Sequence, residues 1–124
     1  MTTFLLVEDD PTQAEAASRR INKKLGFEFE IASCGGQGIE KLKQNSYAFA
    51  LFDLGLPDMD GRDILIKYYE EFNELPSFPI FALTAQVMTE EDIKTLTIIG
   101  FKGYLKKPLK MDELRKLLAD QGKI

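Results

Sequence analysis

Acidic, hydroxyl and lysine side chains occur at separated points of the sequence, each at the end of a short apolar segment. Glu8 and Asp9 follow the first segment, Asp53 follows a later one, Thr84 ends another, and Lys107 follows the last. Carboxylate oxygens suit Mg²⁺, which takes one or two carboxylates and keeps several waters. A carboxylate can also accept a phosphoryl group, and a lysine and a hydroxyl can hold its oxygens. These residue types therefore suit metal-assisted phosphoryl transfer to an aspartate.

Short apolar runs, each typical of a strand, alternate with amphipathic segments along the whole chain. The runs cover residues 4–7, 27–31, 48–52, 79–83 and 103–106. Apolar spacings of three and four between the runs indicate helices. These helices are predicted over 11–25 and 36–44, after Gly61, from Thr89 and over 111–118. Five such units predict an α/β fold with a parallel sheet covered by helices on both faces.

The character of each run also predicts the order of the strands. The runs at 4–7, 48–52 and 79–83 are apolar throughout, as central strands are. The run at 27–31 alternates with polar residues, and 103–106 is short and carries a lysine, as edge strands do. Edges at the second and fifth strands predict the order 2-1-3-4-5, a doubly wound, flavodoxin-like sheet. Ligands bind such sheets beyond the carboxyl ends of the strands, here between the first and third.

Several residues near the strand ends have structural interpretations. Asp10 precedes Pro11 and is typical of a helix N-cap. Asp58 and Asp60 are predicted to be loop and cap residues. The helix after Gly61 is predicted to carry four large residues on one side, namely Leu65, Tyr68, Tyr69 and Phe72.

Two adjacent lysines at the end of the last strand are candidates for the lysine of the site. Lys106 and Lys107 face opposite ways in an extended chain, so only one of them can point into the site. We predict that it is Lys107, because the residue before Pro108 is held extended.

The composition excludes several functional classes. The 124 residues are 44% apolar and 29% charged, which fits one globular domain. The net charge of −4 lacks the basic footprint of a nucleic-acid binder. One cysteine and no histidine exclude an internal disulfide, a histidine-ligated zinc, a Ser-His-Asp triad and a phosphohistidine carrier. A single cysteine suits a reducing compartment, and no run approaches the ~20 apolar residues of a membrane span. We therefore expect a cytoplasmic domain without membrane contact.

Taken together, four motifs resemble the receiver domains of response regulators in bacterial two-component signalling. They are Leu6–Asp10, Phe52–Gly61, Leu83–Ala85 and Gly103–Pro108. Each motif alone is weak, but all four occur in order, each at a strand end. The resemblance covers essentially the whole chain, so we expect one receiver domain over residues 1–124.

The resemblance implies a role for each residue at the strand ends. Asp53 would be the phosphoacceptor, and Thr84 and Lys107 would contact the phosphoryl oxygens. The ligands of the Mg²⁺ cofactor would be Glu8, Asp9, Asp53 and the Gly55 carbonyl. Such a domain is a signalling phosphoacceptor with weak self-catalysed phosphorylation and dephosphorylation, rather than an enzyme in its own right.

A conformational switch is also implied. Thr84 and Tyr104 would move on phosphorylation and change the surface formed by the fourth helix, the fifth strand and the fifth helix. We further predict that the Lys107–Pro108 peptide is cis. This prediction rests on the resemblance and on the sharp turn needed to aim Lys107 inward, since only about 5–6% of such bonds are cis.

The resemblance implies partners as well. The phosphodonor in the phosphorelay would be a histidine kinase or a histidine phosphotransfer protein, and the domain would be a monomer or a weak dimer. The chain ends after the fifth predicted helix, which fits either a stand-alone regulator or one part of a hybrid histidine kinase.

Two rival classes have some of these features. A haloacid dehalogenase-type phosphatase also uses an aspartyl nucleophile with Thr, Lys and Mg²⁺. It needs an Asp-x-Asp motif after the first strand, whereas this chain has acids at residues 8–10. A flavodoxin-like flavin binder shares the strand order, but those acids would repel the flavin phosphate. A degenerate receiver that acts only as a binding module is disfavoured because no motif residue is missing.

Overall fold

One parallel sheet organises residues 2–124, the part of the chain that the computed structural model describes. Its five strands lie in the order β2-β1-β3-β4-β5, which confirms the predicted α/β fold and strand order. The strands are β1 (Thr3–Val7), β2 (Glu28–Ala32), β3 (Ala50–Asp53), β4 (Ile80–Thr84) and β5 (Gly103–Lys106). The helices are α1 (Pro11–Leu25), α2 (Gly35–Gln44), α3 (Gly61–Phe72), α4 (Glu90–Ile99) and α5 (Met111–Asp120). Among the described residues, no helix combines the length and apolar character that crossing a membrane requires.

The strands lie within two residues of the predicted runs, and the largest shift is at β3. Ala48 and Phe49 are buried like the strand that follows, but the paired register begins at Ala50. Apolar runs report burial, whereas strand bounds follow hydrogen-bond pairing, so the two differ at the ends.

Alternate residues of the central strands pack in two separate hydrophobic cores, one on each face of the sheet. On one face, Leu5 and Val7 of β1 pack in the core that α2, α3 and α4 cover. On the other face, Phe4 and Leu6 pack in the core under α1 and α5. This arrangement explains why the central runs are apolar throughout, because successive side chains point to opposite, equally covered faces.

Helix α3 has both buried and exposed large side chains. Its buried residues include Ile64 and Leu65, whereas the side chains of Tyr69 and Phe72 are 49% and 42% exposed. Of the four large residues predicted on one side of this helix, Leu65 is therefore buried, whereas Tyr69 and Phe72 lie at the surface. Ile64 occupies the core position instead, because α3 is packed on the sheet by its first turns.

Asp58, predicted to be a loop residue, caps a helix that is distant in sequence. Its two carboxylate oxygens accept from the N–H groups of Gly35 and Gly36 at 2.9 and 3.0 Å. These N–H groups belong to the first turn of α2, whose own N-cap residue, Cys34, makes no side-chain cap bond. The bonds to Gly35 and then Gly36 hold the pKa of Asp58 below its usual value. The β3–α3 loop is thereby tied to α2.

Gly61 marks a close approach between the start of α3 and the end of β3. A Cβ added there would lie 2.3 Å from the Asp53 carbonyl oxygen and 3.0 Å from the Leu54 Cα. Both neighbours are backbone atoms, so no side-chain rotation can relieve the clash. Only glycine lets the two segments pack this closely.

We predict that Gly61→Ala lowers the free energy of unfolding by about 1–3 kcal/mol, the usual cost of overpacking. The matched control is Gly36→Ala, because a Cβ on Gly36 would meet only an Asp58 oxygen at 3.7 Å. Alanine in a helix stabilises by about 0.5–1 kcal/mol relative to glycine. Urea unfolding of both variants measures the contrast, and equal stabilities would contradict the close approach.

We also predict that Asp58→Asn makes the fold less sensitive to acid. The lowered pKa of Asp58 means that its carboxylate stabilises the fold above about pH 4, and this stability is lost as the pH falls through that pKa. The amide variant should therefore be less stable near neutral pH and show a shallower loss toward pH 2. Unfolding measured against pH tests this, with the exposed Glu74→Gln as the charge-matched control. If Glu74→Gln and Asp58→Asn behave alike, the cap does not carry the effect.

Candidate functional site

The four predicted strand-end residues converge at one edge of the sheet. Asp53 and Thr84 are the last residues of β3 and β4, Glu8 follows β1, and Lys107 follows β5. Parallel strands end at the same edge, and β1 lies next to β3 in the sheet. The order of the strands therefore brings the Glu8 and Asp53 side chains together at the point where the winding of the sheet reverses.

Three carboxylates form the acidic part of the site. Glu8, Asp9 and Asp53 each offer an oxygen, and these atoms all lie within 4.8 Å of one another. Glu8 and Asp53 are only 4% and 6% exposed, whereas Asp9 is exposed. Three such carboxylates repel one another unless positive charge joins them. Within residues 2–124, the ammonium in contact with this group is that of Lys107, and it leaves an excess of negative charge that a divalent cation would balance. The donor set is all oxygen, which fits Mg²⁺.

Lys107 connects two of the carboxylates. Its Nζ donates to Glu8 Oε1 at 2.6 Å and to Asp53 Oδ2 at 2.9 Å. Lys106 is exposed, so the structure places Lys107 in the site, as the alternation of the strand predicts. The Lys107–Pro108 peptide is cis, which confirms that prediction.

Burial and hydrogen bonding shift the pKa values of the two buried carboxyls, Glu8 and Asp53, in opposite directions. Burial raises the pKa of Glu8 above its usual value, and the Lys107 bond only opposes this in part. Burial also acts on Asp53, but the Gly55 N–H and the Lys107 ammonium outweigh it and hold the pKa of Asp53 below its usual value. Burial would lower the pKa of Lys107, yet its bonds to Glu8 and Asp53 hold that pKa above the usual range. Asp53 is therefore an ionised carboxylate at neutral pH, the form that acts as a nucleophile.

Thr84 and Tyr104 lie on the same face of the sheet. Tyr104 pairs with Ala82, two residues before Thr84, and its ring packs in the core under α4. The buried Thr84 Oγ1 accepts from the Gln86 N–H at 3.0 Å, which leaves its own hydroxyl proton to donate elsewhere. The role of these two residues in a switch stays a prediction.

Gly55 touches the site through its N–H rather than through a side chain. This N–H donates to Asp53 Oδ1 at 3.0 Å, and Gly55 forms an isolated bridge with Asp60 across the loop. The contact orients the Asp53 carboxylate. The role of the Gly55 carbonyl as a metal ligand remains a prediction.

Sequence reasoning missed one charged residue of the site. Arg62, in the first turn of α3, lines the same open cleft of about 420 Å³ as Asp53, Thr84 and Lys107. The available signal was its place in the helix that begins directly after the loop from Asp53. The first turn of that helix lies at the carboxyl end of the sheet, so its side chains can reach the site.

Comparisons with known proteins agree with this geometry. The family described as response regulator receiver domain matches residues 4–119. Over 111 residues, the chain is 36% identical to the transcriptional regulatory protein QseB of Escherichia coli O157:H7, covering 90% of the chain and 48% of QseB. Over 117 residues, it is 32% identical to the sensor protein EvgS of Escherichia coli K12, covering 94% of the chain and 9% of EvgS. The chain thus spans about half of one relative and less than a tenth of the other.

A solved structure shows the same fold at low identity. TrrA from Thermotoga maritima, a response regulator solved in complex with Mg²⁺ and BeF, superposes with a TM-score of 0.78 at 21% identity. The match covers 98% of this chain and 99% of TrrA.

The family match decides against the phosphatase and flavin-binding alternatives. It covers all four motifs and nearly the whole sheet and its helices. A receiver domain is a signalling phosphoacceptor of two-component systems, and its phosphodonor is a histidine kinase. Because the family model matches residues 4–119, nearly the whole chain, the chain belongs to the response regulator receiver domain family.

Proposed function

We propose that Asp53 is the residue that accepts the phosphoryl group, in a reaction that requires Mg²⁺. The observation that carries this proposal is the contact of one ammonium, Lys107, with both buried carboxylates, Glu8 and Asp53. It holds the acceptor ionised, aimed and next to a group that can take up phosphoryl oxygens. The exposed Asp9 completes an oxygen donor set beside it.

In the proposed reaction, an Asp53 carboxylate oxygen attacks the phosphorus of the donor. A phosphorus–oxygen bond to Asp53 forms while the bond from phosphorus to the leaving group breaks, and the leaving group takes the bonding electron pair. Lys107 exchanges its bond to Asp53 for a phosphoryl oxygen, and the Thr84 hydroxyl donates to another. Glu8, Asp9, Asp53 and the Gly55 carbonyl would hold Mg²⁺, whose charge would stabilise the oxygens around phosphorus.

The phosphodonor in the cell is proposed to be the phosphohistidine of a histidine kinase or of a histidine phosphotransfer protein. The relatives include both a transcriptional regulatory protein, QseB, and a sensor protein, EvgS. In either setting, the domain would change a surface that a downstream protein reads.

The first test detects the covalent phosphoryl adduct by its mass. Incubation with acetyl phosphate and Mg²⁺ should add the mass of one phosphoryl group to the intact protein. Asp53→Asn should abolish the adduct, because an amide is not a nucleophile of this kind, and so should a chelator. The control is Asp112→Asn, which makes the same chemical change at an exposed position of α5. An adduct that persists in Asp53→Asn would refute the assignment.

The proposed output is the surface formed by α4, β5 and α5. Phosphorylation would draw the Thr84 hydroxyl toward the phosphoryl group, and the loop from Ala85 to Met88 would follow. Tyr104 lines a surface depression together with Gln86 and Met88, so this movement would change the space around its ring. A ligand shifts such an equilibrium only by its preference for one state.

We predict that beryllofluoride with Mg²⁺, as a phosphoryl mimic, changes amide chemical shifts across residues 84–107. Thr84→Val should confine the changes to the loop at 53–61, because the hydroxyl that carries the response is gone. The control Thr97→Val removes an exposed hydroxyl from α4 and should leave the response intact. If the parent protein itself shows changes only at 53–61, the switch is absent even where Asp53 is the acceptor.

A further inference from the structure

We propose that Arg62 is a second cationic contact for the incoming phosphodonor, in the cleft that it lines together with Asp53 and Lys107. The inference rests on the proposed phosphorylation of Asp53. It assigns a binding role to a residue that the proposed reaction does not use. The ligand class is the anionic phosphoryl group of the donor, before and during its transfer.

Arg62 lines the open cleft that also contains Asp53. Arg62 and Lys107 both line the cleft, which holds about 420 Å³. Gly55 lies at the near side of Asp53, and a Cβ added to it would sit 3.8 Å from Asp53 Oδ1. Since Gly55 has no side chain, nothing from that position fills the space next to the acceptor carboxylate. A phosphodonor in this cleft would share it with the Arg62 side chain.

Arg62 is held, but only by a weak partner. Its Nη1 donates to both oxygens of Asp60, at 3.0 and 2.8 Å. The side chains of Arg62 and Asp60 are 27% and 45% exposed, so solvent screens the pair. The guanidinium can therefore exchange Asp60 for a stronger anion at little cost. Lys107, in contrast, is engaged by two nearly buried carboxylates.

Arg62 lies in the first turn of α3, and its positive charge acts on Asp92 in the first turn of α4. There the Thr89 N–H lowers the pKa of Asp92, and the Arg62 charge adds to that effect. An anion in the cleft that Arg62 lines together with Asp53 would therefore be close to this positive charge.

The charges at the cleft explain why a second cation is useful. A phosphoryl donor is an anion, and it must approach the carboxylates of Glu8, Asp9 and Asp53. An arginine presents its donors as a planar fork that matches phosphate oxygens, whereas a lysine acts as a point charge. Arg62 would therefore attract and orient the donor, which affects how strongly the donor binds more than how fast the bound donor reacts.

The test measures phosphorylation by acetyl phosphate over a range of donor concentrations, with intact mass as the readout. Arg62→Gln should lower the rate at low donor by roughly fivefold and change the rate at saturating donor much less. Arg62→Lys should restore part of the loss, since it keeps the charge without the fork. Arg19→Gln removes the same charge from an exposed pair with Glu15 on α1 and should have no effect.

Asp60→Asn separates this role from a structural one. Asparagine still caps α3 but no longer competes as an anion for Arg62, so the rate at low donor should rise. If the Arg62–Asp60 pair serves only the fold, both substitutions lose the same contact and must shift the rate in the same direction. Shifts of the same sign, or no effect of Arg62→Gln, would overturn the inference.

Failure of the inference is distinguishable from failure of the proposed function. If the parent protein takes up no phosphoryl group, or if Asp53→Asn still does, the acceptor assignment is wrong. If the parent is labelled at Asp53 and Arg62→Gln matches it at every donor concentration, only the role of Arg62 is wrong.

Discussion

The contact of Lys107 with Glu8 and Asp53 is the interaction on which the site depends. Two nearly buried carboxylates from neighbouring strands repel each other, and each costs free energy to remove from water. Lys107 offsets both costs with one ammonium, although it lies 99 residues from Glu8 and 54 from Asp53 in the chain. Its backbone N–H also donates to the Thr84 carbonyl at 2.8 Å, which fixes the strand end from which the side chain reaches across. The single cation thus joins the ends of β1, β3 and β5.

This contact is possible because the sheet beneath it is apolar on both faces. The two cores hold the central strands rigidly in register, so polar side chains are displaced to the strand ends, where backbone groups are free to orient them. The acidic cluster retains an excess of negative charge even with Lys107 in place, and this excess is what a divalent cation would relieve. Stability and reactivity are therefore linked: the charges that make the end of the sheet costly to fold are those that suit it to phosphoryl chemistry.

The loop between β3 and α3 is shaped by contacts at both of its ends. Gly61 lets the start of α3 approach the backbone of Asp53 closely, and Asp58 ties the middle of the loop to the first turn of α2. The Gly55 N–H then bonds the Asp53 carboxylate from within the same loop. The loop thus orients the Asp53 carboxylate, and Gly55, which has no side chain, leaves space in the cleft that Asp53 and Arg62 line.

Hydrophobic periodicity by itself determined the fold class, the strand order and the convergence of Glu8, Asp53 and Thr84 with the end of the fifth strand, because burial on two faces demands continuous apolar strands and parallel strands share one edge. The choice of Lys107 over Lys106 needed the following proline and the family motif as well. The structure bears out that convergence, while the chemical roles of these residues remain proposals. Only the tertiary structure decided that Asp58 caps α2, that Arg62 lines the cleft, and that two aromatics of α3 remain exposed. These features arise where segments distant in sequence pack together, and such contacts leave no periodic signal in either segment. Local patterns report which residues must be buried, but the distance between two remote loops depends on the packing of the whole sheet.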